Sequence, residues 1–412
     1  MKKIVVFAVL VLYALNAFSE IEVNTDYPGG NAVVKKINGN EIFLEQDLRD
    51  TSGWWFYWGF EVRGAGGKEI KVHFLNKDVI EAHGPAYSLD GGWTWQWLGA
   101  DSAKRQKDFK SVSFTHKLPE GADSVRYCLA FPYQMADFSK FIAPYANGKR
   151  KNFKLHNLAK TERGRQNIYA TFGNPNGAYK AVFTARHHAC ECMASYVMEG
   201  IIGEIMSDSE TGKWLGENVE FLIVPFVDLD GVEDGDQGKN RKPHDHNRDY
   251  AGVPIYSSVK AIKKILPEWG GKKLKVMIDL HCPWIGNRGG DADLQRRVFF
   301  VYSQETKEQK SNLEKLSKIF ESITTETPGA IAHFAREDIP YGYSWNTLKT
   351  RSSFKSWGLT LDGVEICTTL EISYSDVGGS QITDSSARNI GRNFARALKE
   401  YLEKTALDTG RK

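Results

Sequence analysis

Residues 180–207, KAVFTARHHACECMASYVMEGIIGEIMS, decide the fold. The stretch opens as a short apolar strand, KAVFTAR, and continues as a helix through MASYVMEGIIGEIMS. The same change from strand to helix recurs on either side. QNIYATFG (166–173), NVEFLIVPFVD (218–228), KLKVMIDLH (273–281), RVFFVYS (297–303) and CTTLEIS (367–373) read as strands. SSVKAIKKIL (257–266), SNLEKLSKIFESI (311–323) and ARNIGRNFARALKEYLEK (387–404) carry apolar residues at helical spacing. Strands alternating with helices predict a central α/β sheet covered on both faces. Functional groups in such sheets gather at the strand ends and in the loops that follow them.

Upstream, the reading is β. TSGWWFYWGFEVRG (51–64), GKEIKVHFLN (67–76), SVSFTHKL (111–118) and SVRYCLAFPY (124–133) predict strands, and a strand through residues 89–99 would set Trp93, Trp95 and Trp97 on one face. Together they suggest an antiparallel β-sandwich, with the tryptophans in its core or at a domain interface. FSKFIAPYANGKRKNFKLHNLAK (138–160) reads as a polar connection with a short helix. The predicted organisation is a leader over 1–19, a β-sandwich domain over 20–155 and an α/β domain over 156–412.

Composition excludes several classes. With 41% hydrophobic and 25% charged residues, the chain is an ordinary globular protein and neither disordered nor fibrous. The first nineteen residues carry Lys2 and Lys3, an apolar run from Ile4 to Phe18 and small Ala17 and Ser19, the pattern of a cleaved signal peptide. Its loss would leave Glu20 first and lower the net charge from +3 to +1. The expected location is secreted or periplasmic, with no stable membrane insertion and no electrostatic footprint for nucleic acid. The five cysteines lack the paired spacing of a structural zinc site, and their odd number leaves at least one free.

Four features carry chemistry. In Arg186-His187-His188-Ala189-Cys190-Glu191, between strand and helix, the i, i+3 spacing lets the first helical turn point His188 and Glu191 at one ion, with His187 as the competing ligand. His281 ends the strand KLKVMIDLH and would complete a two-histidine, one-glutamate set that suits Zn²⁺ and leaves a fourth position open. The loop 227–250 offers Arg241, Asn247 and Arg248, whose guanidinium groups can bind a carboxylate bidentately. Its Asp228-Leu-Asp230 start lacks the sixth-position glycine of a calcium loop. Glu371, a carboxylate inside an apolar strand, is costly unless paired or functional, and beside an activated water it would be the general base.

In their order these segments resemble the M14 metallocarboxypeptidase family, particularly its cytosolic-carboxypeptidase-like branch, although the loop between Arg241 and Asn247 is shorter than that family's. ARHHACE (185–191) stands where that branch has ARxHPGE, and residues 227–241 stand where it has NPDGVxxGNYR. HNR, DLH and TLE follow in the family's order, and WWFYWGFEV and SVRYCLAFPYQMADF resemble the branch's sandwich. The resemblance implies zinc held by His188, Glu191 and His281, with Glu371 as base and Arg241 polarising the scissile carbonyl. It further implies Asn247 and Arg248 as the clamp on a peptide's terminal carboxylate, Tyr343 or Tyr341 as a mobile tyrosine, and a cis bond before Pro283. Basic residues Lys349, Arg351 and Lys355 before the catalytic glutamate would favour acidic C-terminal side chains, with Arg351 the foremost. The expected partner is the C-terminus of a peptide or protein. Cell-wall peptides are an alternative substrate for the same site, and a metal-free binding protein is the alternative outside catalysis.

Overall fold

The computed structural model describes residues 20–106, 110–146, 150–285, 292–347 and 351–408. The leader-like residues 1–19 and Lys349 lie outside them.

The α/β alternation builds a seven-stranded mixed sheet. Its order is Lys154–Lys160, Gln166–Gly173, Val219–Val224, Tyr179–Ala185, Leu274–His281, Ile366–Ile372 and Val298–Val301. The four strands from Val219–Val224 to Ile366–Ile372 are parallel, and antiparallel strands flank them on both sides. Successive side chains of a strand face opposite ways, and here both faces are dry. Val182, Leu222, Met277 and Cys367 pack against Val259, Ile262 and Leu266 of the helix Ser257–Gly270. Phe183, Ile278 and Leu370 face the helices Met193–Met206, Lys307–Glu326 and Asp384–Asp408. Two of those helices cross in backbone contact: a Cβ on Gly200 would meet Arg388 O at 2.0 Å and one on Gly391 would meet Val197 O at 2.1 Å.

Two five-stranded sheets precede it. One orders Glu22–Asn24, Gly59–Arg63, Ser124–Cys128, Ala86–Ser88 and Gln96–Trp97, and the other Val33–Asn38, Glu41–Glu45, Glu69–Phe74, Val112–Lys117 and Ala103–Arg105. All their pairings are antiparallel except that of Glu41–Glu45 with Glu69–Phe74. Their inner faces meet through Trp58 and Phe74, with ring centroids 4.7 Å apart, and Phe114 and Tyr127, 5.0 Å apart.

Three local expectations change. Only Gln96–Trp97 of the tryptophan run is strand; Asp90 accepts the Trp93 and Thr94 N–H groups, each at 3.0 Å, so the segment turns and leaves Trp93 62% exposed. Residues 154–160, read as part of a connection, form the edge strand of the large sheet. The Cys282–Pro283 bond is trans, and the one cis bond among the described residues is Lys242–Pro243; trans is the more stable state even before proline, by about 0.5–1 kcal/mol. All five cysteines are free and buried. No helix among the described residues is long and apolar enough to cross a membrane.

Candidate active site

Three parallel strands deliver the site at their C-terminal ends. After Tyr179–Ala185 the chain turns through His187 to Glu191 before the helix Met193–Met206 begins. The His188–Glu191 pair therefore sits in a tight turn, closed by Glu191 N–H donating to His188 O at 3.3 Å, and not in the first helical turn. Arg186 shapes that turn: its φ is 59°, and its buried guanidinium donates to Tyr133 O at 2.8 Å and to Ala189 O. His281 and Glu371 lie opposite each other on adjacent strands.

One ligand atom from each of His188, Glu191 and His281 lies within 4.8 Å of the other two. His188 Nδ1 is 2.9 Å from Glu191 Oε1, and His281 Nδ1 is 2.6 Å from Glu191 Oε2. The other ring nitrogens face carboxylates, with Asp279 2.5 Å from His281 Nε2 and Asp245 3.6 Å from His188 Nε2. Such outer carboxylates orient metal-binding imidazoles. His187, Asp279 and His281 are spaced as closely. Both nitrogens of His187 are engaged, however, by Asp279 at 2.7 Å and the Tyr250 hydroxyl at 2.8 Å, and the residue is fully buried. His188 lines the open cleft and His187 does not.

The carboxylates of the cluster stay charged because cationic groups face them. Despite burial, His187 and His281 hold Asp279 well below the usual carboxylate range, and His281 and Lys239 do the same for Glu191. Burial opposes a charged His281, yet Asp279 and Glu191 raise its pKa well above the imidazole range. Two histidines among Glu191, Asp245, Asp279 and Glu371 thus form an acidic, nitrogen-bearing pocket whose donor set fits zinc. Burial, and secondarily Glu191, raises the pKa of Glu371. Its Oε2 is buried with no hydrogen-bond partner among the described residues, so it is free to take one from a bound water or substrate.

The cleft of about 220 Å³ is lined by His188, Asp245, His281 and Glu371 and walled by Trp55, Trp284 and Trp345. Asn247 and Arg248, from the 3₁₀ turn His246–Arg248, line it together. Asn247 Oδ1 accepts Phe354 N–H at 3.0 Å, and Arg248 Nη1 donates to Asn247 O at 2.9 Å.

Other expected members lie elsewhere. Arg241 is not among the residues lining the cleft; its guanidinium is bound by Asp228 at 2.6 Å and by Asp50 and Asp236 at 3.1 Å each. Tyr343 is 52% exposed and outside the cleft. Arg351 is exposed and donates to Gln304 Oε1 at 3.1 Å. Of the three basic residues before Glu371, Lys355 reaches the cleft: it is buried and donates to Tyr302 O at 2.7 Å, Asn346 Oδ1 at 2.9 Å and Val301 O at 3.3 Å. Sequence reasoning passed over Lys239 and Trp55, which also line the cleft, and the supporting Asp245 and Asp279. The two aspartates had a signal: each stands two residues before a site residue, as Asp245-His-Asn247 and Asp279-Leu-His281.

A family model described as zinc carboxypeptidase matches residues 140–259. Cytosolic carboxypeptidase 2 of Xenopus tropicalis is 22% identical over 317 residues, 71% of this chain and 30% of that protein. Cytosolic carboxypeptidase 6 of Mus musculus is 24% identical over 318 residues, 72% of this chain and 55% of its own length. The chain therefore spans well under two thirds of these relatives. The fold matches a metallo-carboxypeptidase from Burkholderia cenocepacia with a TM-score of 0.76 at 17% identity, covering 94% of this chain and all of that one. Motif order, relatives and fold agree in their likeness: over residues 140–259 the chain matches the zinc carboxypeptidase family model, its relatives are cytosolic carboxypeptidases, and its fold is that of metallocarboxypeptidases.

Proposed function

We propose that this protein is a zinc carboxypeptidase that removes the last residue of peptides or proteins and favours an acidic one. The observation that carries the reading is a single cleft lined by His188, His281, Arg248 and Glu371, with Glu191 buried against both histidines and one oxygen of Glu371 unpartnered among the described residues. His188, Glu191 and His281 would hold the metal, which supplies Lewis acidity and lowers the pKa of water. Arg248 and Asn247 would take the substrate's terminal carboxylate, fixing the scissile bond one residue away. Glu371, kept from easy ionisation by burial, would accept a proton from the attacking water and return it to the leaving amine. Lys355 supplies positive charge where the outgoing side chain would lie. The leader-like first nineteen residues extend the proposal to an exported enzyme.

The test compares a peptide ending in a free carboxylate with its C-terminal amide, followed by mass spectrometry with the zinc-loaded protein. Loss of one residue from the acid, with the amide resistant, is the expected result. Internal cleavage, or equal cleavage of both, would overturn the reading.

A further inference from the structure

The loop Asp236–Arg241 carries two cations, and their surroundings assign them different work. Each nitrogen of the Arg241 guanidinium faces a different carboxylate, Asp228, Asp50 or Asp236. Asp228 is almost wholly buried and has Arg241 as its one guanidinium partner among the described residues, so swinging Arg241 into the cleft would strip it of that charge, while Asp236 would keep Arg49 and Arg163. Lys239 is placed otherwise. Its ammonium lies in the cleft, 2.7 Å from Glu191 Oε1 and 4.9 Å from the centre of the Trp55 ring. Glu191 is its one acceptor among the described residues, leaving N–H donors for a substrate.

The loop is held in place from the β-sandwich side. Asp50 accepts Gln237 N–H at 3.0 Å and Gly238 N–H at 2.8 Å. Tyr57 exchanges two hydrogen bonds with the Gln237 side chain, each 2.8 Å, and Ser52 Oγ donates to Asn240 O at 2.7 Å. The segment from Asp50 to Tyr57 thus fixes the backbone on both sides of Lys239, and its Trp55 provides the ring beside the ammonium.

We propose that Lys239, and not Arg241, is the cation that stabilises the scissile carbonyl oxygen, with Asp50 and Trp55 as positioning residues contributed by the sandwich. The proposal rests on the carboxypeptidase reading. As water adds to the carbonyl carbon and its proton passes to Glu371, the carbonyl oxygen gains negative charge. A Lys239 N–H donates to that oxygen. The charge is returned when the C–N bond breaks and the amine leaves with the proton. Lys239 forms no covalent bond, and Arg241 stays bound to its three aspartates.

The experiment measures kcat, KM, zinc affinity and thermal unfolding for Lys239→Met, Lys239→Arg and Arg241→Lys at saturating zinc. Binding of a peptide phosphonate that mimics the tetrahedral oxyanion is measured alongside. Removing one oxyanion donor costs about 10²–10³-fold in kcat, so Lys239→Met is expected to fall that far with KM little changed and phosphonate affinity reduced. Lys239→Arg, which restores a donor, should regain part of both and remains informative if Lys239→Met folds poorly. Arg241→Lys should lower the unfolding temperature more than kcat. Full kcat and phosphonate binding in Lys239→Met, with only zinc affinity altered, would show that Lys239 merely balances Glu191 and would overturn the proposal. A wild-type protein that releases no residue would overturn the carboxypeptidase reading itself.

Discussion

Replacing Lys355 by methionine should abolish a preference for acidic C-terminal residues while leaving catalysis of apolar ones. The Lys355 side chain is buried and lines the same cleft as His188, His281 and Glu371. At roughly 6 Å and an effective dielectric of roughly 20, a substrate carboxylate gains about 3 kcal/mol from the ammonium charge. Desolvation takes back part of it, so the net resembles a hydrogen bond to a charged group, about 1.5–3 kcal/mol, or roughly 10–150-fold in kcat/KM. Lys355→Met also strips a donor from Tyr302 O, Asn346 Oδ1 and Val301 O; Tyr302 O keeps Asn346 Nδ2 and Val301 O keeps Thr368 Oγ1, so the loss is about 1–3 kcal/mol in all and not per acceptor. Stability should therefore drop too, and specificity must be read as a ratio on the folded protein. Burial lowers the Lys355 pKa to about 7. The group is charged below that value and neutral above it, so the preference for glutamate over leucine should be largest below pH 7 and decline as pH rises through it. The assay is kcat/KM for peptides ending in Glu, Leu and Phe, from pH 6 to 9, with wild type, Lys355→Met and Arg351→Ala. Arg351→Ala should behave as wild type, because that side chain sits outside the cleft. A glutamate preference that survives in Lys355→Met, or disappears in Arg351→Ala, would refute the assignment.

Further outcomes follow from the same geometry. Glu371→Gln should retain zinc and fold while losing about 10²–10⁴-fold in kcat, since the amide cannot accept the proton; more than a tenth of wild-type activity would remove it as base. His188→Ala should lose zinc in metal analysis, whereas His187→Ala should chiefly lower stability by leaving buried Asp279 and Tyr250 short of a partner. The reverse pattern would exchange the two histidines. N-terminal sequencing of the mature protein is expected to begin at Glu20, and a chain still starting at Met1 would remove the leader from the account.

Much of this was legible because it is local. The run 180–207 carries its strand and its helix in nearly consecutive residues, and the parallel strands ending at His281 and in Glu371 read as apolar runs for the same reason. What escaped depends on distant partners. Lys239 and Arg241 are two residues apart with the same sign of charge; Asp50, far upstream, binds one, and Trp55 stands beside the other. The edge strand Lys154–Lys160 is largely exposed, so it lacks the apolar pattern that announces a strand. The period-two tryptophans suggested a strand face, but Gly91 and Gly92, with φ of 75° and 98°, and the carboxylate of Asp90 make a turn there. Lys355 was one of three basic residues in its segment, and only the packing of the short helix Phe354–Gly358 against the sheet separates it from Arg351.

The central claim is that His188, Glu191 and His281 hold one zinc ion that enables release of a single C-terminal residue. Stripping the protein with a chelator and titrating zinc back, with metal content and product mass read together, tests it most directly. The account predicts no release from the stripped protein and full release at about one zinc per chain, with neither binding nor release restored in His281→Ala. Undiminished release from the metal-free protein, or zinc bound in full by His281→Ala, would contradict it.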